Sequence, residues 1–493
     1  MDCLEQPPDE KGTAQRLAAR FAVLWAEHRR DAEQLSAIES SSAWAVARRL
    51  SQLRRRLAPE GSRRNALFRL CLRGLRLWRS EGIITCGRRM VVELLRQVAA
   101  SKSQAASEEA EIASCELRAC VSNRTPDTGA FRVAFIGSEV ITEAASMRYR
   151  AHHIIEALTL AGMEGTFVAL EQVNSHLSTI LSHDLIVLVR VRHNDSIVAL
   201  IESARRLKLP IAYDLDDYLF DPWVLPYIEA LHHGTNQVNA LRILGAYGAC
   251  LVQCEYFTGS TSYLVQRAEA WGKEGFVIRN GLSMAQLDLS RSALEQRCVS
   301  RSDEGMRIGY FSGTRTHQAD FRIVYPALMN ILREEADARL VIVGHLDIGE
   351  FPGLTPFMEQ IDVLPICHWN QLPAVISGVD INLIPLELTP FNEGKSNLKY
   401  YEAGLLKVPS IASPTRIHRE NITPGHNGLL AQTTEEWYAS LKELITQPGR
   451  RERIGENAYE HVLRNYTPAA VGAEVVMTYR QILDRHRWQR DAA

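Results

Sequence analysis

The sequence predicts an α/β protein with two doubly wound domains facing a cleft and an all-helical N-terminal extension. Three observations carry this. From Phe131 onward, short apolar runs alternate with helical stretches, and strands apolar on both faces mark parallel sheets covered on both sides. The runs fall into two series of six, separated by a polar stretch at 282–305. Before Phe131 the chain is rich in Ala, Leu, Arg and Glu and shows no strand-like alternation.

The segments follow in order. Residues 1–125 form the expected helical extension, which Pro59-Glu60-Gly61-Ser62 breaks into at least two helices. VSNRTPDTGA (121–130) is a linker by composition. The first domain, 131–285, has strand runs at 132–137, 165–170, 185–190, 210–215, 249–254 and 275–281. The second, 306–468, has runs at 306–312, 339–344, 362–366, 379–385, 408–413 and 427–431. Residues 469–493 read as a C-terminal amphipathic helix. Ligands are expected beyond the carboxyl ends of the strands.

Composition narrows the function classes. The chain has 493 residues, 46% hydrophobic and 23% charged, with net charge −2, so no global field favours nucleic acid or membrane. Nine cysteines without a CxxC pair suggest reduced thiols and a cytoplasmic protein. The polar start MDCLEQPPDEKG carries no signal-peptide pattern, and no apolar run is long enough to span a bilayer. His152-His153, His232-His233 and His345 lack metal-ligand partners at useful spacing and read as structural.

One basic block stands apart. In ALFRLCLRGLRLWR (66–79), Arg69, Arg73, Arg76 and Arg79 form a stripe beside a wide apolar face. Two readings stay open. The stripe fits peripheral attachment to an anionic inner membrane, where each arginine adds about 1 kcal/mol. It equally fits a helical module that buries its apolar face. With little aromatic interleaving, it does not suit nucleic acid.

Four constellations can carry chemistry. The first is FNEGKSNLKYYEAGLLKVPSIAS (391–413), read as one short helix running into a β-branched strand. Lys395 and Ser396 are expected at the helix start, where free N–H groups attract anions, with Asn397 and Lys399 beside them. Glu402 follows two turns on, where a carboxylate can bind a diol. A phosphate end and a diol end together describe a nucleotide-sugar site. The second is the strand-to-helix turn Ser312-Gly313-Thr314-Arg315 with His317, its helix expected near Gln318; Gly344 ends the next strand and lines the same cleft. In this reading Arg315, His317 and Lys395 are the cations for a phosphate. The third is Asp214, Asp216 and Asp217 at the end of YDLDD, three carboxylates costly to bury without a task. The fourth is Gly137-Ser138 followed by Arg148 and Arg150, arginines suited to a phosphate or carboxylate.

Residues 132–466 resemble glycosyltransferases of the GT-B fold, of the family-4 type (glycosyl transferases group 1). The resemblance rests on the order of elements and on FNxxKSxxKxxE, which Phe391 to Glu402 match, followed by Ala403-Gly404 and Val408-Pro409. It implies two Rossmann-like domains, the first facing the acceptor and the second holding the donor. Glu402 would bind the ribose diol. The family's first glutamate, eight residues earlier, is replaced by Gly394, with Glu393 one residue away. The arginine that relatives place after the glycine of the 312–317 turn is here Thr314. Asp216 falls where the family holds a histidine facing the donor sugar. A metal site at Asp214 and Asp216 is the competing reading, which two domains rather than one disfavour. Arg148 and Arg150 would serve the acceptor or the donor phosphate.

The resemblance thus implies a metal-independent transferase that retains configuration and needs no cofactor. A nucleotide-diphosphate sugar would be the donor. A saccharide or lipid-linked saccharide would be the acceptor, in bacterial surface polysaccharide or glycoconjugate synthesis. Gly394 and Thr314 also fit a second reading, a non-catalytic relative that binds such ligands as scaffold or regulator.

Overall fold

The computed structural model describes residues 130–138, 144–228, 237–300, 305–313 and 317–492. The expected N-terminal extension, its basic stripe at 66–79, His232-His233, Thr314 and Arg315 lie outside them. The described chain builds two six-stranded, all-parallel sheets within one compact unit, Ala106–Ala493. The first sheet contains β1 (Arg132–Gly137), β2 (Glu164–Ala169), β3 (Leu185–Val189), β4 (Ile211–Leu215), β5 (Tyr256–Gly259) and β6 (Glu274–Val277). Its spatial order is β2-β1-β3-β4-β5-β6. The second contains β7 (Met306–Ser312), β8 (Ala338–Gly344), β9 (Ile361–Leu364), β10 (Ile381–Ile384), β11 (Ser410–Ala412) and β12 (Leu429–Leu430), ordered β12-β11-β10-β7-β8-β9. Renumbered from its own first strand, that is the 3-2-1-4-5-6 order of nucleotide-binding sheets. The strand order reverses between β1 and β3 in the first sheet and between β7 and β10 in the second, and these are the expected ligand crevices.

The central strands are buried along their length because most of their residues are apolar, and Asn382 in β10 is satisfied by donating to the Lys399 carbonyl at 3.1 Å and Ser410 Oγ at 2.9 Å. LIVLV in β3 and INLI in β10 have no exposed residue. Three expectations change. ACLVQC (249–254) is not a strand; it ends the helix Gln237–Gln253, and the strand is β5, YFTG. The core-facing residues Ala240, Leu244, Tyr247, Cys250, Leu251 and Cys254 recur every three to four positions, whereas Val252 is 56% exposed. The period is helical, not two. The polar stretch 282–305 is largely the helix Met284–Ser300. The 391–404 segment is two helices, Pro390–Glu393 and Leu398–Gly404, so Lys395 and Ser396 lie in the link between them.

The C-terminal helix Pro468–Ala492 returns to the first sheet. Its Val471, Val475, Tyr479 and Ile482 share a core with Phe135, Val187 and Ala212. Gly472 permits this: a Cβ there would stand 2.6 Å from the Ala157 carbonyl. Among the described residues no helix is long and apolar enough to cross a membrane.

Candidate functional site

The crevice between β7 and β10 gathers most of the second-domain residues singled out above. Ser312 ends β7 and is buried, and its carbonyl accepts the His345 N–H at 3.0 Å. Gly344, at φ +94°, makes that approach possible, since a Cβ would lie 2.0 Å from the Ser312 oxygen. Gly344 therefore shapes the turn. From the helix Gln318–Glu334, Asp320 ties the two sides of the crevice together. Its Oδ1 accepts from the Glu387 N–H at 2.8 Å and Asn392 Nδ2 at 3.0 Å, and its Oδ2 meets His317 Nδ1 at 2.8 Å. Burial would raise the Asp320 pKa, but His317 and Lys395 outweigh it and hold the carboxyl below its usual range. Burial, with Lys399 and Lys395 nearby, pushes His317 down to about 4 despite the bond to Asp320. His317 is thus neutral at pH 7, not the cation expected. With Nδ1–H donated to Asp320, its Nε2 is left as an acceptor.

Among the described residues, the two lysines are the cations of this crevice. Lys395 Nζ lies 5.3 Å from the Phe391 ring centroid, and Lys399 Nζ lies 5.5 Å from that of Tyr310. No ion pair to either lysine occurs among the described residues. Burial, then Lys395, lowers the Lys399 pKa to about 8. On the helix Leu398–Gly404, Tyr400, Tyr401, Ala403 and Gly404 turn to the core, which leaves Lys399 and Glu402 half-buried on the opposite side. Asn397 does not join them. Its Nδ2 donates to the Tyr466 hydroxyl at 2.7 Å inside the core, so the expected donor contact from this side chain is replaced by a structural one.

Glu402 faces the first domain. Its Oε1 accepts from the Tyr149 hydroxyl at 2.6 Å, and Gln286 Nε2 donates to the same hydroxyl at 3.4 Å. Burial raises the Glu402 pKa, against the opposing pull of Tyr149, Arg148 and Lys399. Tyr149 lies on a single π-helical turn, Arg148–His152, a feature frequent at functional sites. Arg148 is held between rings, 4.8 Å from the Tyr149 centroid and 5.2 Å from that of Trp369 in the second domain.

Other contacts seat the 394–420 segment on the first domain. Thr261 Oγ1 donates to the Gly394 carbonyl at 3.3 Å, Asn280 Nδ2 to Ser396 Oγ at 3.0 Å, and Ser262 Oγ to Glu420 at 2.6 Å. Here the space at Gly394 is tight. A Cβ would stand 3.0 Å from Leu264 Cδ2 and 3.1 Å from Tyr218 Cβ. Glu393 does not substitute for the missing glutamate, because its Oε2 accepts the Arg416 N–H at 2.7 Å. Gly394→Val, which adds two carbons beyond the Cβ in this tight space, is therefore expected to loosen the seating of the segment on the first domain. A larger radius of gyration in small-angle scattering checks this; an unchanged radius would mean the interface absorbs the side chain.

In the first domain, two of the predicted site residues pair with each other. Arg150, 1% exposed, donates from Nε and Nη2 to Asp214 at 2.8 and 2.6 Å. Its Nη1 reaches the Ile278 carbonyl at 2.5 Å and Asn280 Oδ1 at 2.9 Å, while Thr258 Oγ1 also donates to Asp214 at 2.6 Å. Both side chains are consumed internally. Arg150 is not presented to a substrate phosphate, and Asp214 has no free oxygen edge for catalysis or for a metal shared with Asp216. Asp216 and Asp217 remain nearer the surface, both bound by Arg190 Nη1 at 2.8 and 2.6 Å. Gly137 ends β1 where Met147 crosses it, for a Cβ would meet the Met147 sulfur at 2.3 Å, and Ser138 follows, buried.

Sequence reasoning missed Tyr149, Arg190, Asp320 and Trp369. Arg190 left a signal, a lone charge closing the apolar run LIVLV; the others left none that spacing could isolate.

Residues 325–476 match the family model described as glycosyl transferase-like. Anabaena Alr3699/HepE in complex with UDP has the same fold, with a TM-score of 0.52 and 15% identity over 71% of this chain and 100% of that one. Its complex with UDP and glucose gives 0.50 at 15% identity over 71% and 99%. A glycosyltransferase from Rickettsia africae ESF-5 gives 0.50 at 12% identity over 72% and 99%. No curated protein sequence matches the chain. The fold is the GT-B fold of glycosyltransferases, and the match over 325–476 is to a glycosyl transferase-like family. At these identities the structural likeness establishes the fold, and the site residues must carry the rest.

Proposed function

We propose that this protein transfers a sugar from a nucleotide-diphosphate sugar to a saccharide or lipid-linked saccharide acceptor, with retention of configuration. The setting we propose is bacterial surface polysaccharide or glycoconjugate synthesis. The observation that carries the reading is the pair Lys395 and Lys399, two ammonium groups with no ion pair among the described residues, at the β7/β10 crevice and one helix face from Glu402. A departing nucleoside diphosphate gains negative charge as the glycosidic bond breaks, and fixed cations there stabilise the transition state. These lysines take the role a divalent cation plays elsewhere, so EDTA should leave turnover intact. Glu402 binds the ribose diol once the Tyr149 hydroxyl gives way, and His317 Nε2 accepts from a donor hydroxyl. The structural relative bound to UDP supports a uridine donor. Closure of the domains, with Tyr149, Asn280 and Thr261 reaching across, excludes water and suppresses donor hydrolysis.

The test is nucleotide diphosphate release from a panel of UDP-, GDP- and dTDP-sugars with and without oligosaccharide acceptors. Turnover of at least one donor is expected, with Glu402→Ala weakening nucleotide binding by about tenfold or more, the worth of one charge-assisted hydrogen bond. No release from any donor, together with unchanged binding by Glu402→Ala, would overturn the enzyme reading. Binding without turnover would instead favour a scaffold or regulator.

A further inference from the structure

Arg190 lies where the first sheet reverses its strand order. It follows β3 directly, beside β1, and its backbone N–H donates to the Asp214 carbonyl at 2.9 Å. Its φ of +49° is in the left-handed region, uncommon for a residue with a long side chain and concentrated at functional sites. A single nitrogen, Nη1, donates to Asp216 Oδ1 and to Asp217 Oδ2, while Nε is buried without a hydrogen-bond partner. A guanidinium serving only to lock two loops together would be expected to use its full fork of donors. Here one corner holds two adjacent carboxylates, which otherwise repel each other.

We infer that Arg190 is a positioning residue for transfer, holding Asp216 and Asp217 in a fixed arrangement at the crevice of the first sheet. The inference rests on the reading given under Proposed function. Among the described residues, the groups facing Asp216 are Arg190 at the end of β3, Arg150 and Ser146 from the segment after β1, Asp217 beside it, and Ser260 after β5, whose hydroxyl donates to the Asp216 carbonyl. Tyr247, from the helix Gln237–Gln253, faces Arg190. Burial would raise the Asp216 pKa, but Arg190, the Ser146 hydroxyl and Arg150 outweigh it and hold the carboxyl below its usual range. Removing Arg190 leaves a largely covered carboxylate next to another, and Asp216 then takes up a proton nearer neutrality.

A double-mutant cycle over Arg190 and Asp216 tests this, read as kcat against pH with the donor found active. Arg190→Met should lower kcat by about a hundredfold, move the acid limb of the profile up by about one pH unit, and leave UDP affinity within about twofold, since the nucleotide lies on the second domain. Arg190→Lys should restore the position of the acid limb. Arg190→Met should cost much less kcat in the Asp216→Asn background than in the parent, because Arg190 acts largely through Asp216 and only its hold on Asp217 remains to be lost. Additive losses, or an Arg190→Met enzyme with normal kcat and an unmoved acid limb, would overturn the inference. If Arg190→Met does not fold, the comparison of Asp216→Asn with the charge-balanced double variant decides alone. Infrared titration of carbon-13 aspartate carboxylates is independent of turnover. It should show a group titrating higher in Arg190→Met than in the parent, and identical titrations would overturn the inference. A parent protein that turns over no donor while this titration shift is present would instead count against the transferase reading.

Discussion

Arg150→Met should lower the first thermal transition of the protein by about 10 °C, the equivalent of about 3–5 kcal/mol for breaking a buried ion pair from one side. The size follows from what is left behind. Asp214 is 2% exposed and takes both Arg150 bonds together with Thr258, so without the arginine its charge has no compensation within the core. The Ile278 carbonyl and Asn280 lose a donor at the same time. Replacing both members, as Arg150→Met with Asp214→Leu, should recover much of the loss, because two desolvated charges are exchanged for apolar contact. Asn280 also carries the link to Ser396 in the second domain, so Arg150→Met should loosen the lysine-bearing segment as well. Calorimetry of the parent, the single and the double variant checks the first point, and hydrogen exchange over 394–404 the second. A single variant melting within about 2 °C of the parent would show the pair to be dispensable.

What could be read from the sequence depended on the range of the interaction. The strands were legible wherever both faces are covered, since β3 then reads as an unbroken apolar run and β10 as one broken only by Asn382. The same rule misread ACLVQC, because a helix end can also be mostly apolar over six residues, here interrupted only by Gln253, and only the longer spacing from Ala240 to Cys254 separates the two. The placement of Lys395, Lys399 and Glu402 was legible because helix spacing puts Lys399 and Glu402 on one face and the motif places Lys395 just ahead. Asn397 sits in the same motif, yet its partner Tyr466 lies 69 residues on, and that distant hydroxyl decides where the side chain points. Arg150 and Asp214 are 64 residues apart, and each read alone as a ligand for an external charge. Their pairing is a property of the fold, not of either motif. Gly394 shows the opposite case. Its oddity was plain in the sequence, while the reason, Leu264 and Tyr218 of the facing domain, was not.

Lys399→Met should reduce kcat/KM for the nucleotide-sugar by about a hundredfold or more, the scale of removing one charge-stabilising group from a transition state. The same change should stabilise the unliganded protein by about 1–2 kcal/mol, because the ammonium is desolvated and faces Lys395. The pH dependence separates the two effects. The unfolded lysine holds its proton up to about 10.5, the folded one only to about 8. Between those values the unfolded chain binds more protons, so unliganded stability rises as pH climbs from about 8, and the cost of the buried charge is fully present below it. A bound diphosphate favours the protonated lysine, so the stabilisation that ligand provides should fall over the same range. Thermal melts with and without UDP, taken from pH 7 to 9.5, should therefore converge in the parent protein. In Lys399→Met they should stay parallel, with a smaller separation at every pH. Convergence in the variant as well would assign the titration to another group, and parallel curves in the parent would remove Lys399 from the donor site.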